Sequence, residues 1–189
     1  MSGAVLGALF VGGASRRMGG LPKGLLRGEG GITLVERWRR LFAAEGVEGV
    51  LVGAHPAYAG LGLEIVPDAP AGVGPLGGLL ASLRRAGARP LLVAACDMPF
   101  VSGRLLARLR SFEAPTPVVA AERGGRREPF FARYDPPRVL PLAEARLRRG
   151  QLSLQGLLAE AGVTALPLSP RELGELDDWD SPADMSRTR

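Results

Sequence analysis

The stretch of sequence on which the fold is built runs from Ala4 to Lys23 and reads AVLGALFVGGASRRMGGLPK. Its first part, Ala4 to Val11, is a short apolar run closed by a glycine pair, which is typical of a buried parallel strand that ends in a loop. Glycines in the loop let the backbone approach a ligand closely. Loop amides, together with Arg16, Arg17 and Lys23, are suited to bind phosphate oxygens.

Lys23 is the only lysine of the chain. A chain that otherwise uses arginine keeps here a compact point charge, which suits a phosphate. The alternative is a glycine-rich surface turn with solvated cations, but the strand-to-loop context and the lone lysine favour phosphate binding. The loop matches neither G-x-G-x-x-G nor G-x-x-x-x-G-K-[ST], since Lys23 is followed by Gly24.

Length and composition predict one globular domain spanning residues 1–189, with 46% hydrophobic and 23% charged residues. No uncharged apolar stretch approaches the about 20 residues that cross a bilayer, so we expect no membrane partner. The net charge of +5 is spread over arginines, with only two tyrosines and two tryptophans for stacking, so we expect no nucleic-acid partner. The single cysteine, Cys96, suits a reducing cytoplasm.

Segments of strand and helix character alternate through the first two thirds of the chain. This order predicts a three-layer α/β/α sandwich with a mostly parallel, Rossmann-like sheet. The predicted strands are Ala4–Val11, Val50–Val52, Leu63–Val66, Leu91–Cys96, Pro117–Ala121, Phe130–Tyr134 and Val163–Leu168. The predicted helices begin at Thr33, Pro75, Ser102, Arg138 and Ser153. A polar turn is expected over Glu122–Arg127, and an acidic, then short-helical, tail from Glu175.

Small and acidic residues follow several of the predicted strands. Gly12 and Gly13 follow the first strand, Gly53 the second, Asp68 the third, and Asp97 the apolar run Leu91–Cys96. In open α/β sheets ligands lie outside the carboxyl ends of the strands, so these residues are expected to form one site. Asp97 is the expected ligand of Mg²⁺, which is held by one or two carboxylates plus substrate phosphates. The alternative, a helix-capping role for Asp97, is weakened because Ser102 can cap the next helix.

The pair Gly77-Gly78 lies in the first turn of the helix that begins at Pro75. Glycine costs a helix about 0.5–1 kcal/mol relative to alanine, so a base or ribose close to the backbone, or tight packing of the helix on the sheet, is expected there. His55 is the only histidine and G-x-S-x-G is absent, so a serine or cysteine triad and a zinc site are not indicated. His55 is expected to be a loop residue near the site, and Cys96 a core residue.

The loop residues Phe10-Val11-Gly12-Gly13-x-Ser15-x-Arg17-Met18-Gly19-x-x-x-Lys23 resemble the signature of nucleotidyltransferases with the nucleotide-diphosphosugar transferase fold. Three further motifs narrow the resemblance to molybdenum cofactor guanylyltransferase, the MobA family. They are Gly74-Pro75-Leu76-Gly77-Gly78, Cys96-Asp97-Met98-Pro99 and Glu128-Pro129-Phe130-Phe131. The resemblance covers the chain from Ala4 to about Met185.

The resemblance implies an Mg²⁺-dependent transfer of GMP from GTP to the terminal phosphate of molybdopterin, with or without bound molybdenum, which yields the guanine dinucleotide cofactor and pyrophosphate. It further implies the site residues. Phe10, Val11, Gly12 and Gly13 would contact guanine and ribose, Arg17 and Lys23 the triphosphate, Asp68, Gly53 and Gly78 the nucleotide, and Asp97 the metal. The expected partners are GTP and molybdopterin, with the protein a cytoplasmic monomer that contacts other molybdenum cofactor proteins only transiently.

Two positions depart from the family pattern. The family usually has Asn-x-Asn-Thr-Pro where this chain has Asp178-Trp179-Asp180-Ser181-Pro182, which resembles the molybdopterin cytidylyltransferases. Asp180 could supply a second metal carboxylate, or the segment could be a solvated acidic loop. Gly53 replaces an asparagine that the family tends to place on the nucleotide.

The resemblance favours GTP over CTP, because cytidylyl relatives carry Ala-Ala-Gly where this chain has Val11-Gly12-Gly13, and glycine leaves room for a purine. A cytidylyltransferase acting on molybdopterin or a sugar-type phosphate is the alternative. A non-catalytic nucleotide-binding regulatory module is the third reading. For the acceptor, Glu128, Pro129 and the Arg146–Arg149 cluster are candidates.

Overall fold

A computed structural model of the chain describes residues 5–12, 22–53 and 55–179. Within these residues the chain forms one seven-stranded sheet, six α-helices and three short 3-10 helices. The strands are β1 (Val5–Phe10), β2 (Val47–Val52), β3 (Glu64–Val66), β4 (Leu91–Ala95), β5 (Val118–Arg123), β6 (Arg126–Tyr134) and β7 (Val163–Leu166). The α-helices are α1 (Leu34–Ala44), α2 (Pro75–Ala86), α3 (Gly103–Ser111), α4 (Pro136–Arg148), α5 (Leu154–Ala161) and α6 (Pro170–Glu175). The 3-10 helices are Lys23–Leu25, Glu29–Gly31 and Pro56–Tyr58.

The strand order of the sheet is β3-β2-β1-β4-β6-β5-β7. The pairings β1–β2, β1–β4, β2–β3 and β5–β7 are parallel, and β6 runs antiparallel to both of its neighbours. The carboxyl ends of the other six strands therefore meet the beginning of β6 at one edge of the sheet. This arrangement confirms the predicted mostly parallel α/β fold.

Helices cover both faces of the sheet, because successive strand residues point to opposite sides. Helices α1 and α3 pack on one face, in a core that contains Leu9, Trp38 and Leu105. Helices α2, α4 and α5 pack on the other face, in a core that contains Leu6 and Leu80. The predicted three-layer sandwich is thereby confirmed.

Helix starts agree closely with the sequence-based expectation. The Thr33 side chain accepts a hydrogen bond from the Glu36 amide at the start of α1, and Ser102 does the same for the Leu105 amide at the start of α3. These side chains satisfy amides that have no partner within the helix. Ser102, and not Asp97, therefore caps α3. None of the helices within the described residues is long and apolar enough to cross a membrane.

Two elements differ from the prediction. The expected polar turn over Glu122–Arg127 is a hairpin in which β5 and β6 continue to the two glycines Gly124 and Gly125, both with positive φ. Its polar residues pair with each other across the two strands. A polar segment of this kind is typical of a loop, which is why the sequence predicted a turn where the structure has a hairpin. Helix α6 was not predicted, although Ser169 and Glu172 form a capping box at its start.

Candidate active site

A cavity of about 430 Å³ opens at the edge where the parallel strands end. It extends over the ends of β1, β2, β3 and β4 and the beginning of β6, as the topological rule for open α/β sheets predicts. The residues that line it are Phe10, Val11, Gly12, Lys23, Val52, Asp68, Gly74, Pro75, Ala95, Cys96, Asp97, Met98, Arg123, Glu128, Phe130, Leu176 and Asp178.

The centre of the cavity holds an ion pair between Lys23 and Asp97. Lys23 Nζ lies 2.8 Å from Asp97 Oδ2, and each side chain is 20% exposed. Lys23 begins the 3-10 helix Lys23–Leu25, and Asp97 lies two residues after the end of β4. The structure thus brings together the cation and the carboxylate that the sequence separately indicated for phosphate and metal binding.

The segment that carries Lys23 is held by the phenol of Tyr58. The Gly24 amide donates to the Tyr58 hydroxyl at 3.2 Å, and that hydroxyl donates to the Val11 carbonyl at 3.4 Å. Tyr58 is buried, and burial raises its pKa to about 12, so it stays protonated and able to donate. The phenol therefore couples the position of Lys23 to the end of β1. Sequence analysis did not identify it, because nothing local distinguishes Tyr58 from a core aromatic.

Asp97 is held from the other side by Trp179. The Trp179 amide donates to the Asp97 carbonyl at 2.9 Å. The buried Trp179 side chain packs in a small apolar cluster with Leu26 and Leu34, and its ring lies edge-on to Phe100. Leu26 follows the 3-10 helix of Lys23, so the residues after α6 tie the two partners of the central ion pair together.

The β5–β6 end of the cavity carries Glu128, Arg123 and Asp178. The Arg123 guanidinium donates to the Leu176 carbonyl and to Asp177 Oδ1, both at 3.1 Å. Burial raises the pKa of Glu128, and the negative charge of Asp178 adds to the shift. Arg123 was not predicted as a site residue, because its place at this edge depends on the β5–β6 hairpin that sequence analysis took for a turn.

The opposite end, at β1 to β3, is lined by Gly12 and Asp68, while Gly53 lies against Gly12 and does not itself line the cavity. Gly12 is exposed, and a Cβ built on it would have no atom within 4 Å. Gly53 has a φ of 111°, and a Cβ there would come within 3.2 Å of the Gly12 amide nitrogen. Asp68 lies at the open rim, and partial burial of its carboxyl group raises its pKa. This end has space for a flat ligand beside backbone.

Gly78 lies behind the cavity and does not line it. A Cβ on Gly78 would come within 2.8 Å of Phe10 Cε1 and Val52 Cγ1, and within 3.0 Å of Asp68 Oδ1. Of the two roles that the sequence left open, these contacts support tight packing of α2 on the sheet. Gly78 therefore shapes the site by letting Asp68 and Phe10 sit against the helix.

The remaining predicted residues fall into two groups. Gly13, Arg17 and Asp180 lie outside the residues that the structure describes. Of the Arg146–Arg149 cluster, Arg146 and Arg149 pair with Glu160 on α5, and the cluster does not line the cavity.

The two potential nucleophile partners do not form a catalytic pair. His55 accepts a hydrogen bond from the Ala57 amide through Nδ1 and does not line the cavity. Cys96 is a buried residue whose thiol has a raised pKa, mainly because burial disfavours the thiolate. Both observations agree with the loop and core roles expected for these residues.

The carboxylates of the cavity suit magnesium better than zinc. Among the described residues there is no group of three His, Cys, Asp or Glu side chains placed to hold a metal ion. Asp97 provides one carboxylate, and Asp178 lines the same cavity. Mg²⁺ is typically held by one or two carboxylates and completes its shell with phosphate and water oxygens, so this donor set fits that ion.

Comparison with known proteins gives a consistent result. Residues 7–164 match the MobA-like NTP transferase domain. The probable molybdenum cofactor guanylyltransferase of Opitutus terrae is 34% identical over 196 residues, which cover 98% of this chain and 95% of that protein. The molybdenum cofactor guanylyltransferase of Pseudomonas putida is 34% identical over 180 residues, 92% of each chain.

Solved structures show the same architecture. The molybdopterin-guanine dinucleotide biosynthesis protein A of Archaeoglobus fulgidus superposes with a TM-score of 0.78 and 25% identity, covering 95% of this chain and 94% of that chain. The 2-C-methyl-D-erythritol 4-phosphate cytidylyltransferase of Thermus thermophilus superposes with a TM-score of 0.66 at 20% identity, covering 98% of this chain and 96% of that chain, which shows the shared fold alone.

Proposed function

Because the chain belongs to the MobA-like NTP transferase family, we propose that it transfers GMP from GTP to the terminal phosphate of molybdopterin, with Mg²⁺ as cofactor. The observation that carries this proposal is the Lys23–Asp97 pair, 2.8 Å apart at the centre of the cavity. A cation for phosphate and a carboxylate for Mg²⁺ meet at the point where a triphosphate would lie.

In this proposal the residues of the cavity have distinct roles in binding the nucleotide and its metal ion. The end formed by Phe10, Val11, Gly12 and Asp68 binds the nucleoside, and Lys23 exchanges its partner Asp97 for phosphate oxygens when GTP binds. Gly13 and Arg17, which the family resemblance assigns to the base and to the triphosphate, lie outside the described residues. Asp97 would hold Mg²⁺, with Asp178 or Asp180 as a second carboxylate. Mg²⁺ bound there would supply positive charge to offset the charge on the phosphates and on the departing pyrophosphate.

The reaction needs no nucleophilic side chain. An oxygen of the acceptor phosphate attacks the α-phosphorus of GTP, the bond from that phosphorus to the bridging oxygen breaks, and pyrophosphate leaves with its electron pair. Catalysis then depends on positioning and on neutralising charge, which is the work of Lys23 and its neighbours. The buried thiol of Cys96 and the position of His55 outside the cavity are consistent with direct transfer.

The preference for GTP over CTP rests on the space above Gly12. Gly12 lines the cavity, and a Cβ built on it would have no atom within 4 Å, so the backbone here leaves open space for the larger base. A cytidylyltransferase is the second candidate, because the acidic residues Asp178 and Asp180 resemble those found at this place in the molybdopterin cytidylyltransferases.

Pyrophosphate release from GTP, CTP, ATP and UTP, with molybdopterin as acceptor and with or without Mg²⁺, tests the proposal. Release from GTP alone, dependent on Mg²⁺, is the expected result. Faster release from CTP would identify the cytidylyl alternative. Binding of nucleotides without release from any of them would identify a non-catalytic module.

A further inference from the structure

The cavity has two ends that differ in chemistry, with the Lys23–Asp97 pair between them. The strand order places β4, which leads into Asp97, between β1 and β6. The β1 side carries Gly12 and Asp68, and the β6 side carries Glu128 and Phe130. A substrate pair that reacts at the centre must therefore extend toward opposite ends.

The proposed function decides which substrate lies at which end, and the inference rests on it. Attack on the α-phosphorus requires the acceptor phosphate to reach the nucleotide phosphates, near Lys23. When the guanosine of GTP occupies the β1–β3 end, the acceptor approaches from the β5–β6 end. Its phosphate then lies at the centre, and its pterin ring lies against the residues that begin β6.

Glu128 is the carboxylate of that end. Its side chain lines the cavity beside Phe130, whose ring packs edge-on against Phe10 with centroids 5.1 Å apart. The nearby Arg123 is occupied by Leu176 and Asp177. Burial raises the pKa of Glu128, and the negative charges of Asp178 and Asp97 add to this shift, while the Arg123 guanidinium opposes it. A carboxylate in this position is stabilised by a ligand that brings N–H donors.

The acceptor ring carries such donors. A pterin is a 2-amino-4-oxopteridine, so its amino group and the adjacent ring N–H form a donor pair on one edge. The spacing of this pair matches the two oxygens of a carboxylate, and hydrogen bonds to an ionised acceptor are stronger than neutral ones. We propose that Glu128 selects the acceptor by accepting hydrogen bonds from the amino and ring N–H groups of its pterin, while Phe130 packs against the ring.

Glu128→Gln tests this role with little change in size. Because the amide presents a donor to the donor edge, we expect the KM for molybdopterin to rise by about tenfold to a hundredfold. The affinity for GTP, measured without acceptor, should stay unchanged. Glu122→Gln is the matched control, since Glu122 lies on the same hairpin, is exposed and does not line the cavity. It should alter neither quantity.

Inhibition of the wild-type enzyme provides a second measurement that needs no variant. Free pterin should compete with molybdopterin more strongly than lumazine, in which oxygen replaces the 2-amino group. The Glu128→Gln variant should lose this preference. Equal effects of the two compounds on the wild type, including none from either, would overturn the proposal.

The outcomes separate this inference from the proposed function. If the wild type releases no pyrophosphate from GTP in the presence of molybdopterin, the proposed function fails. If the wild type is active but Glu128→Gln keeps its KM for molybdopterin, only the recognition role fails. A lower kcat with an unchanged KM would assign Glu128 to the reacting phosphates, and a weaker affinity for GTP would assign it to the nucleotide end. Either result would contradict acceptor recognition.

Discussion

Lys23 and Asp97 are 74 positions apart in the sequence, and their side chains meet at 2.8 Å. Each partner belongs to a different part of the fold, since Lys23 begins the 3-10 helix Lys23–Leu25 and Asp97 follows β4. The pair keeps a carboxylate and an ammonium group ready in a partly closed cavity. In the proposed reaction a triphosphate with its metal ion would supply each of them with a new partner of opposite charge, so we expect substrate binding and opening of the pair to be linked.

Replacing Asp97 by asparagine should stop the reaction and keep the fold. The amide has nearly the same shape but carries no charge for Mg²⁺, so we expect kcat to fall by about a hundredfold to a thousandfold. The free energy of unfolding should change by no more than about 1 kcal/mol, because the pair is still open to solvent. Asp135→Asn is the control, because Asp135 follows the end of β6, at the edge of the sheet opposite the cavity. Pyrophosphate release and thermal unfolding should be measured for both variants. Full activity of Asp97→Asn with Mg²⁺ present would contradict the assignment of the metal ligand.

Removing the Tyr58 hydroxyl should weaken GTP binding more than it slows turnover. Tyr58→Phe keeps the ring but leaves the Gly24 amide without its partner, so the segment of Lys23 becomes less well positioned. We expect a loss of about 1–2 kcal/mol in the free energy of unfolding. The KM for GTP should rise severalfold while kcat changes little.

Tyr134→Phe is the matched control for the Tyr58 variant. Its buried hydroxyl donates to the Pro129 carbonyl within β6, so removing it leaves the contacts of the Tyr58 hydroxyl with Gly24 and Val11 in place. A similar loss of stability with an unchanged KM for GTP is expected. If both variants raised the KM for GTP equally, the rise would reflect the loss of stability and not the position of Lys23, which would contradict the role given to Tyr58.

Adding a methyl group at Gly12 should change base preference without changing stability. A Cβ at this position meets no atom within 4 Å, so alanine fits the fold. The methyl group narrows the end of the cavity assigned to the base, and a purine loses more than a pyrimidine. We expect the ratio of kcat/KM for GTP to that for CTP to fall by about tenfold. An unchanged ratio in pyrophosphate release assays would place the base elsewhere.

The same substitution at Gly78 should act on stability first. The new Cβ would lie 2.8 Å from Phe10 Cε1 and Val52 Cγ1, which is closer than packed atoms approach. Overpacking of this kind costs about 1–3 kcal/mol, to be measured by urea unfolding. A Gly78→Ala variant of wild-type stability that has lost GTP binding would instead support direct contact of Gly78 with the nucleotide.

Helix α6 should contribute stability that depends on pH. Glu172 bonds to Arg108 and to both the amide and hydroxyl of Ser169, and these contacts hold its pKa at about 2. A carboxylate whose pKa falls on folding stabilises the protein above its ordinary pKa of about 4.5 and loses that effect as the pH drops toward 2. Glu172→Gln should therefore cost about 1 kcal/mol at pH 7. In unfolding experiments the difference should shrink below pH 4.5, and a constant difference down to pH 3 would indicate packing.

Local signals predicted most of the helices and strands. The caps of α1 and α3 involve Thr33 and Ser102 and amides only three residues away, so their chemistry is visible in the sequence. The β5–β6 hairpin and α6 were missed for different reasons. The polar residues of the hairpin pair across the two strands, and a polar segment is typical of a loop when it is considered alone. For α6 the local signal exists in the sequence, because Ser169 and Glu172 have capping-box spacing, but no helix was predicted from it.

The amino-acid sequence alone determined the order of strands and helices and the apolar runs that must be buried. It also identified the glycines, the lysine and the carboxylates that carry the chemistry. These features depend on neighbours within a few residues, so they can be recognised locally. The tertiary structure decided which of them meet. It placed β6 in reverse between β4 and β5, which brings Glu128 and Arg123 to the cavity, and it turned Gly78 toward the sheet. It also joined Lys23 to Asp97. Such contacts depend on how distant segments pack, and no spacing along one segment encodes them.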